Sequence, residues 1–253
     1  MPWDPTHYLR FADHRARPGL ELLARIRHDR PRSVVDLGCG PGSLTARLAE
    51  RWPDAAVTGI DSSAAMLATA RAEHPDLRWV EADIAGWEPE EPVDVVYSNA
   101  ALHWLDDHEA LFTRLRSFLA DDGVLAVQMP DSWRNPTHTV PAEVLDDGSW
   151  PEEARRALLR DRLSSPGEYR RWLTPGTLDL WRTSYHQELT GDDPVWNWVT
   201  GSVLRPVLSA LDEADRVRFT GRCQERYRAA YPREEDGVTI LPFPRLFLVV
   251  HAA

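Results

Sequence analysis

The sequence predicts an α/β fold: a mostly parallel sheet with helices on both faces, elaborated by insertions in its second half. Three observations carry this. Apolar runs of five or six residues alternate with helix-like segments through the first half. The first run opens directly into a glycine cluster, Gly38-Cys39-Gly40-Pro41-Gly42. The chain closes on another strand-like run, Arg245–His251 (RLFLVVH). Strand–helix alternation of this kind requires parallel strands joined by right-handed crossovers.

The elements follow in order. Ser33–Leu37 is the first strand, and the stretch from Ser43 to Arg51 is helical. Ala56–Ile60 is the second strand; Ser62 then caps a helix carrying Met66, Leu67 and Ala70. Leu77–Glu81 and Val93–Ser98 are further strands, the latter apolar enough for burial on both faces. Asp106–Leu119 is amphipathic, with Leu111, Leu115, Phe118 and Leu119 on one face, and Gly123–Gln128 returns to strand. Residues 130–175 are rich in proline and tryptophan, with one helix at 151–163 whose Pro151 and acidic first turn suit an N-terminus. Leu178–His186 reads as a strand and residues 194–230 as helices; no internal repeat is visible.

Composition narrows the function. The 253 residues are 43% apolar and 27% charged, which is globular rather than disordered. No apolar run approaches the roughly 18 residues a membrane span needs. The net charge of −11 argues against a nucleic-acid partner, and every basic residue is arginine. Only Cys39 and Cys223 are present, without metal spacing. No metal is expected, and the expected compartment is the reducing cytoplasm.

The loop after the first strand holds the most specific signal. Glycines there let a ligand approach the backbone closely. A nicotinamide-dinucleotide site is the competing reading, but its third glycine is replaced by Ser43. Asp36 at the strand end suits a cationic group better than a pyrophosphate. Asp61, nineteen residues after Gly42, is placed for ribose hydroxyls in either class, or for capping the next helix. Asp83 follows the third strand, where a carboxylate accepts from the exocyclic amine of an adenine.

These residues carry a resemblance. DLGCGPG, GIDSS with Met66, EADI and SNAALHW resemble the motif series of class I S-adenosylmethionine-dependent methyltransferases. WDPTHYLRF, QMPD, WRTSY, LRP and FPRLF resemble blocks of the trans-aconitate methyltransferase family among them. The resemblance implies a Rossmann-like sheet with an antiparallel last strand and helical caps, organised as one methyltransferase domain. Its expected parts are an N-terminal segment over the cofactor (1–30), a cofactor-binding core (31–130), cap insertions (131–175 and 192–236) and late strands (177–187 and 244–251). It implies S-adenosyl-L-methionine as cofactor, S-adenosyl-L-homocysteine as its product, and a small polycarboxylate as acceptor, methylated to a monomethyl ester. A different small acid or natural-product intermediate is the alternative acceptor; a non-catalytic cofactor-binding protein is the alternative outside enzymes.

Carried over by position, Asp36, Gly38 and Gly40 line the methionine end of the cofactor. Asp61 and Ser62 hold the ribose, Met66, Asp83 and Ile84 frame the base, and Asn99 closes the site. Trp3, Tyr8 and Arg17 belong to the segment expected to fold over it. A carboxylate is already ionised at neutral pH, so no general base is required. Arg182, Arg205 and Arg245 are expected to hold spectator carboxylates, since a guanidinium on the reacting oxygen would stabilise the ground state most. Neutral donors from Tyr8, His103 and Tyr169 are expected to orient the reacting group, with Trp104 beside them.

Overall fold

The computed structural model describes residues 12–147, 150–158, 163–201 and 204–252. Its strands are β1 (Ser33–Leu37), β2 (Ala56–Asp61), β3 (Arg78–Glu81), β4 (Val93–Asn99), β5 (Leu119–Pro130), β6 (Thr177–Leu189) and β7 (Thr239–His251). They form one sheet in the order β3-β2-β1-β4-β5-β7-β6. Pairing is parallel from β3 to β5, and β7 runs antiparallel to β5 from Val124↔His251 to Pro130↔Arg245. The expected mostly parallel sheet with an antiparallel closing strand is therefore present.

The helices are α1 (Ala12–Arg25), α2 (Ser43–Arg51), α3 (Ala64–Glu73), α4 (His108–Ser117), α5 (Pro136–Leu145), α6 (Glu152–Leu158), α7 (Pro166–Trp172), α8 (Pro194–Thr200), α9 (Arg205–Ser209) and α10 (Glu213–Ala230). Local chemistry fixes several boundaries. Asp107 turns the chain with φ 48° and caps the Ala110 amide, so α4 begins at His108 rather than Asp106. Ser165 and Glu168 form a capping box at the start of α7. β6 and β7 are longer than the sequence suggested. Pro242 and Pro244 lie inside β7, where prolines read as strand breakers because they cannot donate to a ladder.

The residues group into two compact units, one built on 15–130, 163–183 and 245–252 and the other on residues between 131 and 158 and from 184 to 244. In the first, one sheet face presents Val35, Leu37, Val96, Leu125, Val127, Leu248 and Val250 to Leu111, Phe112 and Leu115 of α4. Tyr169 and Leu173 join the same core, Tyr169 meeting Phe112 of α4 edge-on, so α7 belongs to this unit. The opposite face carries Asp36, Tyr97, Asn99 and Gln128, by strand alternation. There the Tyr97 hydroxyl donates to the Gly19 carbonyl at 2.9 Å, and the Arg51 guanidinium donates to the Leu23 and Ile26 carbonyls, docking α1. The second unit has its own core of Val144, Trp150, Trp198, Phe219 and Tyr227. Trp150 donates to the Val144 carbonyl at 2.7 Å and meets Phe219 edge-on.

Candidate functional site

The three glycines after β1 divide the work. All have positive φ: 75° at Gly38, 55° at Gly40 and 89° at Gly42. A Cβ at Gly38 would collide with that of Ala101, and one at Gly42 would lie 2.5 Å from the Trp79 ring. A Cβ at Gly40 would meet nothing within 4 Å. Two glycines therefore admit neighbouring side chains, while Gly40 leaves open space beside a backbone that a ligand can approach. The loop is pinned to β2: Gly38 N and Cys39 N donate to the Ile60 carbonyl at 2.8 and 3.0 Å.

Asp61 accepts Gly40 N at 2.9 Å on one oxygen and Ser63 N at 2.8 Å on the other. It holds the loop and the entry to α3 together while remaining part-exposed. Ser62 is exposed, and the cap is Ser63, whose hydroxyl accepts Met66 N at 3.3 Å; the cap expected at Ser62 is off by one residue. Met66 is half-buried at the start of that helix.

Asp36 is not a surface strand end. It is 2% exposed and accepts the Thr45 hydroxyl at 2.6 Å. Burial pushes its carboxyl up to about 7, against the Thr45 hydrogen bond and with help from the Asp61 charge. Burial first, then the charges of Asp36 and Asp61, also push the Cys39 thiol up, which keeps it protonated.

Beyond β3, Asp83 is exposed and its Oδ1 accepts Ala85 N at 2.9 Å. Ile84 reaches to 3.6 Å from the point where a Gly38 Cβ would stand. The Arg114 guanidinium fixes this segment by donating to the Ile84 and Trp87 carbonyls at 2.6 and 2.7 Å. At the end of β4, Asn99 is half-buried with Oδ1 lacking a hydrogen-bond partner. Ala100 follows with φ 55°, a left-handed conformation that side chains disfavour and that recurs at ligand sites.

The expected substrate residues are dispersed. His103 and Trp104 lie together in a 3-10 turn, Leu102–Trp104, with Trp104 50% exposed. Tyr169 is fully buried, its hydroxyl 2.8 Å from His108 Nδ1, so it is a core residue rather than a donor to substrate. Arg17 is exposed and pairs with Glu21 at 2.9 Å. Arg182 is exposed on β6, alternating away from Trp181, which stacks flat on Phe247 at 4.8 Å. Arg205 opens α9, half-buried, in the second unit. Arg245 is 3% exposed and pairs in register with Pro130, on the face of Gln128 and Asn99. Trp3 and Tyr8 lie outside the described residues.

One buried amide is marked by no motif in the sequence. Gln128 is 1% exposed, and neither amide atom has a hydrogen-bond partner. Such a group costs about 1–3 kcal/mol when left unsatisfied. The signal was a single amide inside the otherwise apolar run Gly123–Met129.

Residues 34–123 match the family described as a methyltransferase domain. The YcgJ protein of Bacillus subtilis has a similar fold (TM-score 0.59, 15% identity, 92% of this chain and 97% of that one). So does a geranyl diphosphate C-methyltransferase of Streptomyces coelicolor, solved with Mg2+, geranyl-S-thiolodiphosphate and S-adenosyl-L-homocysteine (TM-score 0.51, 15% identity, 94% and 76%). A trans-aconitate 2-methyltransferase of Escherichia coli O17:K52:H18 is 45% identical over 252 residues, 98% of this chain and 97% of the relative. Sharing that identity along nearly its whole length, the chain belongs to the trans-aconitate 2-methyltransferase family.

Proposed function

We propose that the chain transfers a methyl group from S-adenosylmethionine to one carboxylate of trans-aconitate, giving the monomethyl ester and S-adenosylhomocysteine. The observation that carries this reading is the extent of the identity, 45% over 98% of the chain. It runs far past residue 123, where the general methyltransferase match ends, through the half in which acceptors are distinguished.

The residues present fit the cofactor. The open space at Gly40 admits a ligand beside bare backbone, and the free Asn99 Oδ1 offers an acceptor at the neighbouring strand end. Gly38, Gly40 and Asn99 would hold the methionine end, Asp61 with Ser62 the ribose, and Met66, Asp83 and Ile84 the base. Asp36, buried, accepts instead from Thr45 of α2. When bound, S-adenosylmethionine supplies a methyl on a sulfonium, which a carboxylate oxygen takes while the sulfur–carbon electron pair stays on sulfur.

The acceptor carboxylates titrate near roughly 4, so the nucleophile is ionised at neutral pH and the protein need not move a proton. Its task is alignment, worth up to about 7–11 kcal/mol when reacting atoms are held in line. It must also seat a polyanion, which requires cationic partners for desolvated carboxylates. Arg245, buried on the site face, suits a spectator carboxylate. His103 and Trp104 border the site at the end of β4. Both cysteines are buried and form no disulfide, which fits a reducing compartment such as the cytoplasm.

The test is methyl transfer from labelled S-adenosylmethionine to trans-aconitate, cis-aconitate, citrate and simple dicarboxylates. The expected product releases methanol in mild base, as a carboxyl ester does and an ether or amine does not. Transfer to none of these acids overturns the proposal.

A further inference from the structure

Gln128 and Asn99 are register partners on β5 and β4. Between them they present three buried amide atoms without partners: Gln128 Oε1 and Nε2, and Asn99 Oδ1. Alternation sends Leu125, Val127 and Met129 into the core and turns Gln128 to the other face. On that face its neighbours are Asn99, Phe247 opposite it on β7, and Arg245 one pleat further toward the strand end. The carboxyl ends of β4 and β5 are where an open α/β sheet receives ligands.

The unsatisfied groups are two acceptors and one donor, all uncharged. An anion meeting a cation has the matching demand: the Asn99 acceptor suits a sulfonium-bearing partner, and the Gln128 donor suits a carboxylate. We propose that Gln128 is the neutral donor that orients the acceptor carboxylate of the methyl transfer, its Nε2 bonding the oxygen that does not react. This rests on the function proposed above and assigns within it a residue that neither the motif blocks nor the arginines supply. A neutral amide fits the task because charge is annihilated in the transition state. A guanidinium in the same place would bind the ionised ground state more tightly than the transition state and slow the step, whereas a dipole loses far less. The division of labour is then Arg245 for a carboxylate that keeps its charge and Gln128 for the one that gives it up.

The experiment compares wild type with Gln128→Met and Gln128→Glu. Binding of trans-aconitate to protein saturated with S-adenosylhomocysteine is measured by calorimetry, alongside S-adenosylhomocysteine affinity and thermal melting. Gln128→Met is expected to melt no lower than wild type, since a buried unsatisfied amide is replaced by an apolar chain of similar size. Its S-adenosylhomocysteine affinity should stay within about threefold. Its trans-aconitate affinity should fall about tenfold to a hundredfold, the range for a hydrogen bond to a charged group. Gln128→Glu keeps the size and should lose more, because it sets a carboxylate against a carboxylate. Wild-type binding of trans-aconitate with equal binding by both variants overturns the inference alone. Failure of wild type to bind any polycarboxylate overturns the proposed function and this inference together.

Discussion

Replacing Gly40 by alanine should separate folding from cofactor binding, and Gly38 supplies the control. At Gly40 the added Cβ meets no atom within 4 Å, so its only penalty is the left-handed φ of 55°. That conformation costs a side chain about 1–2 kcal/mol, partly offset by about 0.4–1 kcal/mol from a stiffer unfolded chain. The net loss is about 1 kcal/mol, or about 2–4 °C in Tm for a chain of this size. The methyl nevertheless occupies space that a ligand would use, so affinity for S-adenosylhomocysteine should fall at least tenfold, about 1.4 kcal/mol. Gly38→Ala carries the same backbone strain plus a collision with Ala101, an overpacking worth a further ~1–3 kcal/mol, so it should lower Tm much more. Calorimetry with S-adenosylhomocysteine and a thermal melt read both quantities. Wild-type affinity in a folded Gly40→Ala protein would refute the assignment of that space to the cofactor.

Other predictions rest on single contacts. Because burial raises Asp36 from 3.8 to about 7, the folded chain holds a proton that the unfolded chain releases. The stability this confers is full below about pH 4 and is lost as pH rises through about 7, up to ~4 kcal/mol in all. Asp36→Asn should therefore flatten the decline in urea midpoint between pH 5 and pH 8, and an unchanged slope would count against the buried, protonated acid. Arg245→Met should raise KM for trans-aconitate at least tenfold and Arg182→Met should change it less than threefold; the reverse order in steady-state kinetics would move the anion site to β6. Tyr169→Phe removes the hydroxyl that meets His108 and should cost about 1 kcal/mol in chemical denaturation, with kcat/KM preserved. A selective loss of kcat/KM would return Tyr169 to the site.

The sheet and its loops were legible where periodicity and backbone chemistry speak alone. Ser33–Leu37 and Ser43–Arg51 lie where the apolar runs and the glycine cluster put them. Helix caps were legible to within a residue or two, because neighbouring polar residues such as Ser62 and Ser63, or Asp106 and Asp107, compete for one geometry. Side-chain roles depended on which face a residue takes. Arg182 and Arg245 occupy similar arginine-aromatic blocks, yet one is exposed on the edge strand and the other is buried opposite Pro130. Tyr169 looked like a polar group at a cap, but its ring is required by the core formed with Phe112 and Leu173. Asp36 is hidden by Thr45, nine residues on, and no pattern in the chain announces that hydrogen bond. Gln128, a lone amide in an apolar strand, has no motif; only its missing partners give it meaning.

Gly19 determines how high the first helix rides. A Cβ there would lie 2.5 Å from Leu44 Cδ1 and 2.9 Å from the Tyr97 hydroxyl. The leucine methyl can swing aside, but the phenol is held in the middle of β4 and is bonded to the same residue's carbonyl. One added carbon would lift the rod by a few tenths of an ångström against that fixed stop. Leu22, Leu23 and Ile26 sit within the next two turns and are seated to full depth, so they would rise with it. The smallest residue of α1 thus acts as its gauge, and tolerance for substitution should be lowest where there is least side chain to lose.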